Sequence, residues 1–410
     1  MRRAVITGIG IASSIGSDVR TVVDALRTGR SGITSSALFQ EVGLRSHVWA
    51  PVDMPYADRV DRRHLRFMTP AALQAHACMQ QAIDDSRLAA HDVSNARTGV
   101  VVGNACGIPN GYLHATQAMR ERGLRGVGAY DIVQSMPSMH AACLGVAFGI
   151  RGVCYAICAA CAASAQCIAH AVDLIAFDRQ DVVFAGGAEE VGWEIACQYD
   201  AIGALSTRYN DAPARASRTY DAERDGFVIS GGAGLVVVEE LAHALARGAR
   251  IYAEVIGHGT TTDGVDMVAP SGEGAARSMR LALRGVAGPI DYLNTHGTST
   301  PVGDIRELDA IREVFGAGAP PLSSTKTTTG HAQGAAGVHE FIYTLLMLEH
   351  GFIAPNANVA RLDDAAEGFD IVMQPTDRCL KTAMSNSFGF GGVNVSLAIG
   401  KLDHVHASLP

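Results

Sequence analysis

Residues 155–177 read YAICAACAASAQCIAHAVDLIAF, and the fold class turns on how this stretch divides. Tyr155 to Ile157 reads as the end of a strand. From Cys161 onward the apolar residues Ile168, Val172 and Ile175 recur at helical spacing. A strand running through a few alanines into a helix is the signature of an α/β unit, and it puts Cys161 at the helix start. A thiol there feels the positive end of the helix dipole, which favours thiolate. Its small neighbours leave room for a thioester. For any single cysteine the plainer reading is a buried core residue. Cys158 and Cys161 also form a CxxC pair. No second pair and no His pair at ligand spacing accompanies it, and the flanks are not thioredoxin-like. Cys158 therefore reads as a small core residue.

Outward from this stretch the same alternation recurs. Arg3 to Thr7 (RAVIT), Thr98 to Gly103 (TGVVVG), Asp181 to Ala185 (DVVFA) and residues 234–240 (GLVVVEE) are short β-branched runs. Val19 to Leu26 and residues 67–85 read as helices. A new cycle begins near residue 250 with RIYAEVIG. It continues through a helix at 274–285, a strand at Ile290 to Leu293, helices at Glu307 to Val314 and Val338 to His350, and closing strands at Ala383 to Ser387 and Val393 to Ile399. Strands alternating with helices imply parallel sheets covered by helices. Two such cycles imply a duplicated α/β architecture, divided as 1–249 and 250–410, with a seam between the halves.

The 410 residues are 48% hydrophobic, enough for a large core, and the formal charge of −8 argues against nucleic acid as the main partner. Nine scattered cysteines, several in apolar stretches, read as reduced and buried thiols of a cytoplasmic protein. The opening MRRAVITGIG is too short and glycine-broken for a signal peptide, and no apolar run reaches transmembrane length. Gly8-Ile9-Gly10 lacks the third glycine of a dinucleotide loop, and GxxxxGK[ST] is absent.

Two histidine-bearing turns follow in the second half. Asn294-Thr295-His296-Gly297-Thr298-Ser299-Thr300-Pro301 comes after a buried strand, and Ser324-Thr325-Lys326-Thr327-Thr328-Thr329-Gly330-His331 is a polar loop. Both belong at strand ends, where ligand sites of α/β proteins collect. Neutral imidazoles there can donate hydrogen bonds to a developing enolate, with Lys326 as a nearby cation. A single loop histidine is more simply surface decoration, the reading for His76, His140, His350 and His404. Ser385-Asn386-Ser387-Phe388-Gly389-Phe390-Gly391-Gly392 is either a tight hairpin or a loop whose N–H completes an oxyanion hole with that of Cys161.

Taken in order, RRAVITGIG, SRTYDAERDGFVISGG, MVAPSGEG, YLNTHGTSTPVGD, GAAGVHE and MSNSFGFGG cover nearly the whole chain. The sequence resembles the β-ketoacyl-acyl-carrier-protein synthases, most closely their type I group of bacterial fatty-acid synthesis. The resemblance implies a thiolase-like fold: two duplicated βαβ-rich halves, with helices sandwiched between and around two mixed sheets. It implies that Cys161 is the acylated nucleophile, with His296 and His331 completing the set and Lys326 and Glu340 ordering it. Thr298 and Thr300 would hold the phosphopantetheine arm. Phe390 would gate the pocket and Phe388 would lie between the cysteine and the malonyl site. Arg63, Arg66, Arg122 and Arg125 would dock an acidic acyl carrier protein.

The implied reaction is decarboxylative condensation of acyl-ACP with malonyl-ACP, in a homodimer needing no metal or organic cofactor and no nucleic-acid or membrane partner. The alternatives are a ketosynthase of a polyketide or polyene pathway, a non-catalytic acyl-ACP-binding subunit, and a thiolase-type enzyme using acyl-CoA. An intact Cys161, His296 and His331 argue against the non-catalytic subunit. Ala163, Ala332, Gln333, Met139 and His140 depart from the type I pattern near the expected acyl pocket and leave chain length and pathway open.

Overall fold

Ten strands form one mixed sheet in the computed structural model, which describes residues 1–54, 56–106 and 109–402, the side chains of 109 and 110 excepted. They are β1 (Ala4–Ala12), β2 (Thr98–Gly103), β3 (Cys154–Tyr155), β4 (Val182–Glu189), β5 (Gly232–Glu240), β6 (Ala253–Thr262), β7 (Leu293–Asn294), β8 (Leu322–Ser323), β9 (Thr382–Gly389) and β10 (Val393–Gly400). Their spatial order is β8-β7-β9-β10-β6-β1-β5-β4-β2-β3. The last five strands of that order come from the first part of the chain and the first five from the second, and each set repeats the other. β2 is parallel to β3 and β4, as β7 is to β8 and β9. β5 runs antiparallel between β4 and β1, as β10 does between β9 and β6.

Two features differ from the strand–helix alternation. The sheets are mixed, because β5 and β10 each turn back against their neighbours. The two five-stranded sets also meet: β1 and β6 pair at Val5↔Glu254 and Ile6↔Ala253, which merges them into one sheet.

Two helices lie between the halves. α1 (Ala163–Ala176) follows Cys161, and α2 (Ala336–His350) follows His331. α1 packs on β4 and β2 of its own set and on β10 and β6 of the other; α2 packs on β9, β5 and α1. Residues 336–348 of α2 are all buried, the pattern of a helix enclosed on every side. Ile168, Val172 and Ile175 of α1 join Phe341, Leu345 and Leu348 of α2 in the largest hydrophobic cluster, beside Ile6, Ile9 and Ile11 of β1. Outer helices such as Pro70–Ser86 and Glu273–Ala282 cover the opposite faces.

No disulfide occurs among the described residues. Cys78, Cys143, Cys161 and Cys167 are buried, but Cys106, Cys154, Cys158 and Cys379 are exposed. Cys158 is thus no core residue, since it lies on the loop beyond the short edge strand β3. His350 is exposed, whereas His76 and His140 are buried, on helices whose inner faces meet the sheet and each other. His404 lies outside the described residues.

Candidate active site

Cys161 sits in a single 3-10 turn, Ala160–Ala162, two residues before α1 begins at Ala163. The turn can be this tight because Ala160 adopts φ 47°. Ser164, on the first turn of α1, accepts a 2.9 Å hydrogen bond from Val338 N, tying the two central helices together near their N-terminal ends.

His296 and His331 arrive from the other half. His296 follows β7; its N–H donates to Glu307 Oε1 at 2.9 Å, and Gly297 N–H donates to Oε2 at 2.7 Å. His331 is pinned through its backbone to the strand Ile229–Ser230: its N–H donates to Val228 O at 2.8 Å and its carbonyl accepts from Ser230 N at 2.9 Å. The two imidazoles meet edge-on, with centroids 5.3 Å apart at 85°. Cys161 Sγ and one nitrogen of each ring lie within 4.8 Å of one another.

Lys326 lies behind this group, with 1% of its side chain exposed. Its Nζ donates to His296 O at 2.7 Å, stands 3.4 Å from His296 Nδ1, and forms a buried ion pair with Glu340. Burial lifts the Glu340 carboxyl to about 7, with the ammonium of Lys326 opposing the rise. Burial, followed by the charge of Lys326, holds both His296 and His331 well below the usual imidazole range. Both rings are therefore neutral near pH 7. Burial also pushes the Cys161 thiol up to about 12, which Lys326 offsets only in part. The helix start favours thiolate, as the sequence suggested, but desolvation outweighs it. The resting group is a thiol with neutral imidazoles beside it.

The three groups open onto a cavity of about 370 Å³, also lined by Thr298, Thr300, Phe388 and Phe390. Thr298 and Thr300 have their hydroxyls 3.0 Å apart. Phe388 lies 5.8 Å from the His296 ring, and the partly exposed Phe390 lies 6.2 Å from Tyr199. Gly389 abuts the Cys161 backbone so closely that a Cβ there would come within 3.1 Å of Cys161 N.

The four arginines lie elsewhere on the surface, all exposed. Arg63 pairs with Asp61 at 2.7 Å, while Arg66 stacks over Phe67 and Tyr130 at 4.8 and 5.1 Å. Arg122 ends the helix Pro109–Arg122, and Arg125 lies in the next turn. Gln134 Nε2 donates to Arg66 O at 3.3 Å, so the segment after Arg125 lies against the turn bearing Arg63 and Arg66.

Sequence reading missed several groups. Glu307 clamps the His296 loop, and Asp304, one helical turn earlier, accepts from Ser299 N at 3.0 Å and pairs with Arg224 at 3.2 Å. Their only signal was an acidic i, i+3 pair at a helix start, which any capped helix shows. Glu189 accepts from Ala105 N at 2.5 Å and Gly334 N at 3.1 Å, joining the loop after β2 to the loop after His331. Ser299 (φ 72°) and Gln333 (φ 50°) join Ala160 in the left-handed region, at about 1–3 kcal/mol each. Gln333 is held there as its side chain donates to Ser230 O at 3.2 Å. Of the other departures from the type I pattern, Ala163, Ala332, Met139 and His140 are all buried.

A family model described as Beta-ketoacyl synthase, N-terminal domain, matches residues 1–244, and one described as Beta-ketoacyl synthase, C-terminal domain, matches residues 252–360. The chain is 57% identical over 404 residues to 3-oxoacyl-[acyl-carrier-protein] synthase 1 of Escherichia coli (strain K12), covering 98% of this chain and 100% of that one. It is 55% identical to the synthase of the same name from Haemophilus influenzae, covering 97% and 98%. Among solved structures, a β-ketoacyl synthase from Burkholderia phymatum STM815 superposes with a TM-score of 0.93 at 33% identity, covering 98% of this chain and 100% of that one. A chain of AntDE:AntF, a type II polyketide synthase acyl-carrier protein in complex with its ketosynthase, superposes with a TM-score of 0.89 at 27% identity, covering 98% of this chain and 100% of that one.

Proposed function

This chain belongs to the β-ketoacyl synthase family, and from that premise we propose that it condenses acyl-ACP with malonyl-ACP to give 3-oxoacyl-ACP in fatty-acid elongation. The observation that carries the reading is the convergence of Cys161, His296 and His331 at one cavity.

The steps follow from that geometry. The Cys161 sulfur attacks the acyl-ACP thioester, and its proton leaves with the departing carrier thiol. Neutral imidazoles within reach of Sγ can carry that proton, since the thiol does not ionise unaided near pH 7. Malonyl-ACP then enters, its pantetheine arm passing Thr298 and Thr300. His296 and His331 donate hydrogen bonds to its thioester oxygen and stabilise the enolate left as CO₂ departs. The enolate carbon attacks the acyl carbonyl on Cys161. The tetrahedral oxyanion is held by N–H groups of Cys161 and Phe390, and its collapse returns the Cys161 thiolate, which takes up a proton. Lys326 and Glu340 act as positioning residues for His296.

The exposed arginines 63, 66, 122 and 125 are the proposed carrier-protein docking face. Exposed apolar side chains nearby, Tyr112, Leu113, Ile132 and Val146, support a homodimer, and a cytoplasmic setting belongs to the same reading. So does a division of the chain at 249/250, which falls between β5 and β6. Among the described residues no helix is long and apolar enough to cross a membrane.

The test is to incubate the protein with a ladder of acyl-ACPs and malonyl-ACP and weigh the products. The reading expects 3-oxoacyl-ACPs two carbons longer with release of CO₂. Absence of CO₂ and of any extended product refutes it.

A further inference from the structure

The donors that converge at the cavity are also those of a transition-metal site. Zn²⁺ sites of the open kind use three protein ligands drawn from Cys, His and carboxylate, and leave the fourth position to water. Here a sulfur and two imidazole nitrogens lie within 4.8 Å of one another. Zn–S and Zn–N bonds of about 2.3 and 2.0–2.1 Å put tetrahedral donors roughly 3.3–3.7 Å apart, so the donor atoms need to close by at most about 1.5 Å. Among the described residues this is the only group of three such donors. Cys158 is not part of it, so the site owes nothing to the CxxC pair.

Further features favour a ligand. The backbones bearing both imidazoles are pinned, His296 by Glu307 and His331 by the strand Ile229–Ser230. His331 Nδ1 is buried without a hydrogen-bond partner, so this nitrogen is not committed to another group. The cavity supplies an entry path and space for a fourth, solvent ligand. One feature opposes binding: Lys326 Nζ lies 3.4 Å from His296 Nδ1, although Glu340 is paired with that ammonium.

We propose that Cys161, His296 and His331 bind one thiophilic divalent cation of the Zn²⁺ class, and that the ion blocks the unacylated protein by capping its nucleophile. Binding replaces the S–H bond of Cys161 with a sulfur–metal bond and releases the proton to solvent, with no change of oxidation state. An acyl group on the sulfur removes the thiolate ligand, so the acylated protein is protected. Metal and acyl donor therefore compete for one atom. The inference rests on the convergence of the donors, so it stands or falls apart from the condensation reading.

Co²⁺ serves as the spectroscopic probe. Titrated into the full-length protein, one equivalent is expected to give thiolate-to-cobalt charge-transfer absorption and the intense visible bands of four-coordinate Co²⁺, and Zn²⁺ is expected to bleach them. Both features disappear when Cys161 is first alkylated with iodoacetamide, and in His331→Ala once its thermal melt shows a folded protein. In the converse experiment, free Zn²⁺ at about ten times its Kd slows alkylation of Cys161 about tenfold, because only the metal-free fraction reacts. Mass spectrometry of the Cys161 peptide separates this from the other cysteines. Charge-transfer absorption that survives alkylation of Cys161, or an alkylation rate indifferent to Zn²⁺, overturns the proposal. A protein that condenses acyl-ACP without forming the cobalt spectrum leaves the proposed function standing and removes only this inference.

Discussion

Replacing Gly389 with alanine probes the backbone of the proposed oxyanion hole. A Cβ at this position would lie 3.0 Å from Ala159 O, 3.1 Å from Ala160 Cβ and 3.1 Å from Cys161 N. Ordinary contact begins at 3.4 Å, so these atoms must retreat by 0.3–0.4 Å. The turn has little freedom to do so, because Ala160 is already held at φ 47°. The displacement falls on the Cys161 N–H. Deleting one oxyanion donor outright costs about 10²–10³ in kcat, and a 1 Å misplacement costs about 10². A shift of this size therefore lowers condensation about five- to tenfold. In the proposed mechanism, decarboxylation of malonyl-ACP without an acyl acceptor uses the imidazoles and not this N–H, so it remains near the parent rate. The assay follows labelled CO₂ and 3-oxoacyl-ACP separately, with a thermal melt to show that the variant is folded. Condensation within about twofold of the parent, or decarboxylation falling in parallel, refutes the reasoning.

Glu307→Gln keeps one acceptor where two backbone N–H groups converge, so His296 shifts and both decarboxylation and condensation fall about 10²-fold; a loss confined to condensation counts against this role. Arg66→Glu weakens carrier binding and flattens its salt dependence more than Arg63→Glu does, because Arg63 is already paired with Asp61; affinities measured across a salt series decide it. His140 is buried with neither ring nitrogen hydrogen-bonded, and burial lowers its pKa from 6.5 to about 4. Its folded pKa lies below the unfolded one, so the parent loses stability as pH falls below 6.5 and stops losing it near 4. His140→Leu lacks this penalty, and its stability relative to the parent rises by about 2 kcal/mol between about pH 8 and pH 5. Urea midpoints at the two pH values measure the difference; an unchanged gap refutes it.

The residues of the candidate site were legible wherever the signal resides in residue type and short spacing. Cys161 at a strand–helix junction, and His296 and His331 in polar turns after buried strands, stand out because those patterns are local. Lys326 belongs with them, five residues before His331 in the same loop. Glu307, Asp304 and Glu189 were not legible, because a carboxylate that accepts backbone N–H groups from another loop leaves no mark on its own neighbours in sequence. The burial of His76 and His140 was hidden for the same reason: each is polar, and only the packing of its helix decides where it points.

Alternating apolar strands and helices are a property of the chain, so the α/β class and the presence of two similar halves could be read before any coordinates. The direction of β5 and β10, the pairing of β1 with β6, and the exposure of Cys158 depend on contacts between segments far apart in sequence. The protonation of Cys161 belongs to that second class. Position at a helix start argues for a thiolate, whereas enclosure against α2 and the Gly389 strand removes the water that a thiolate needs. Desolvation is a sum over everything that surrounds a group, and only the folded chain supplies those surroundings.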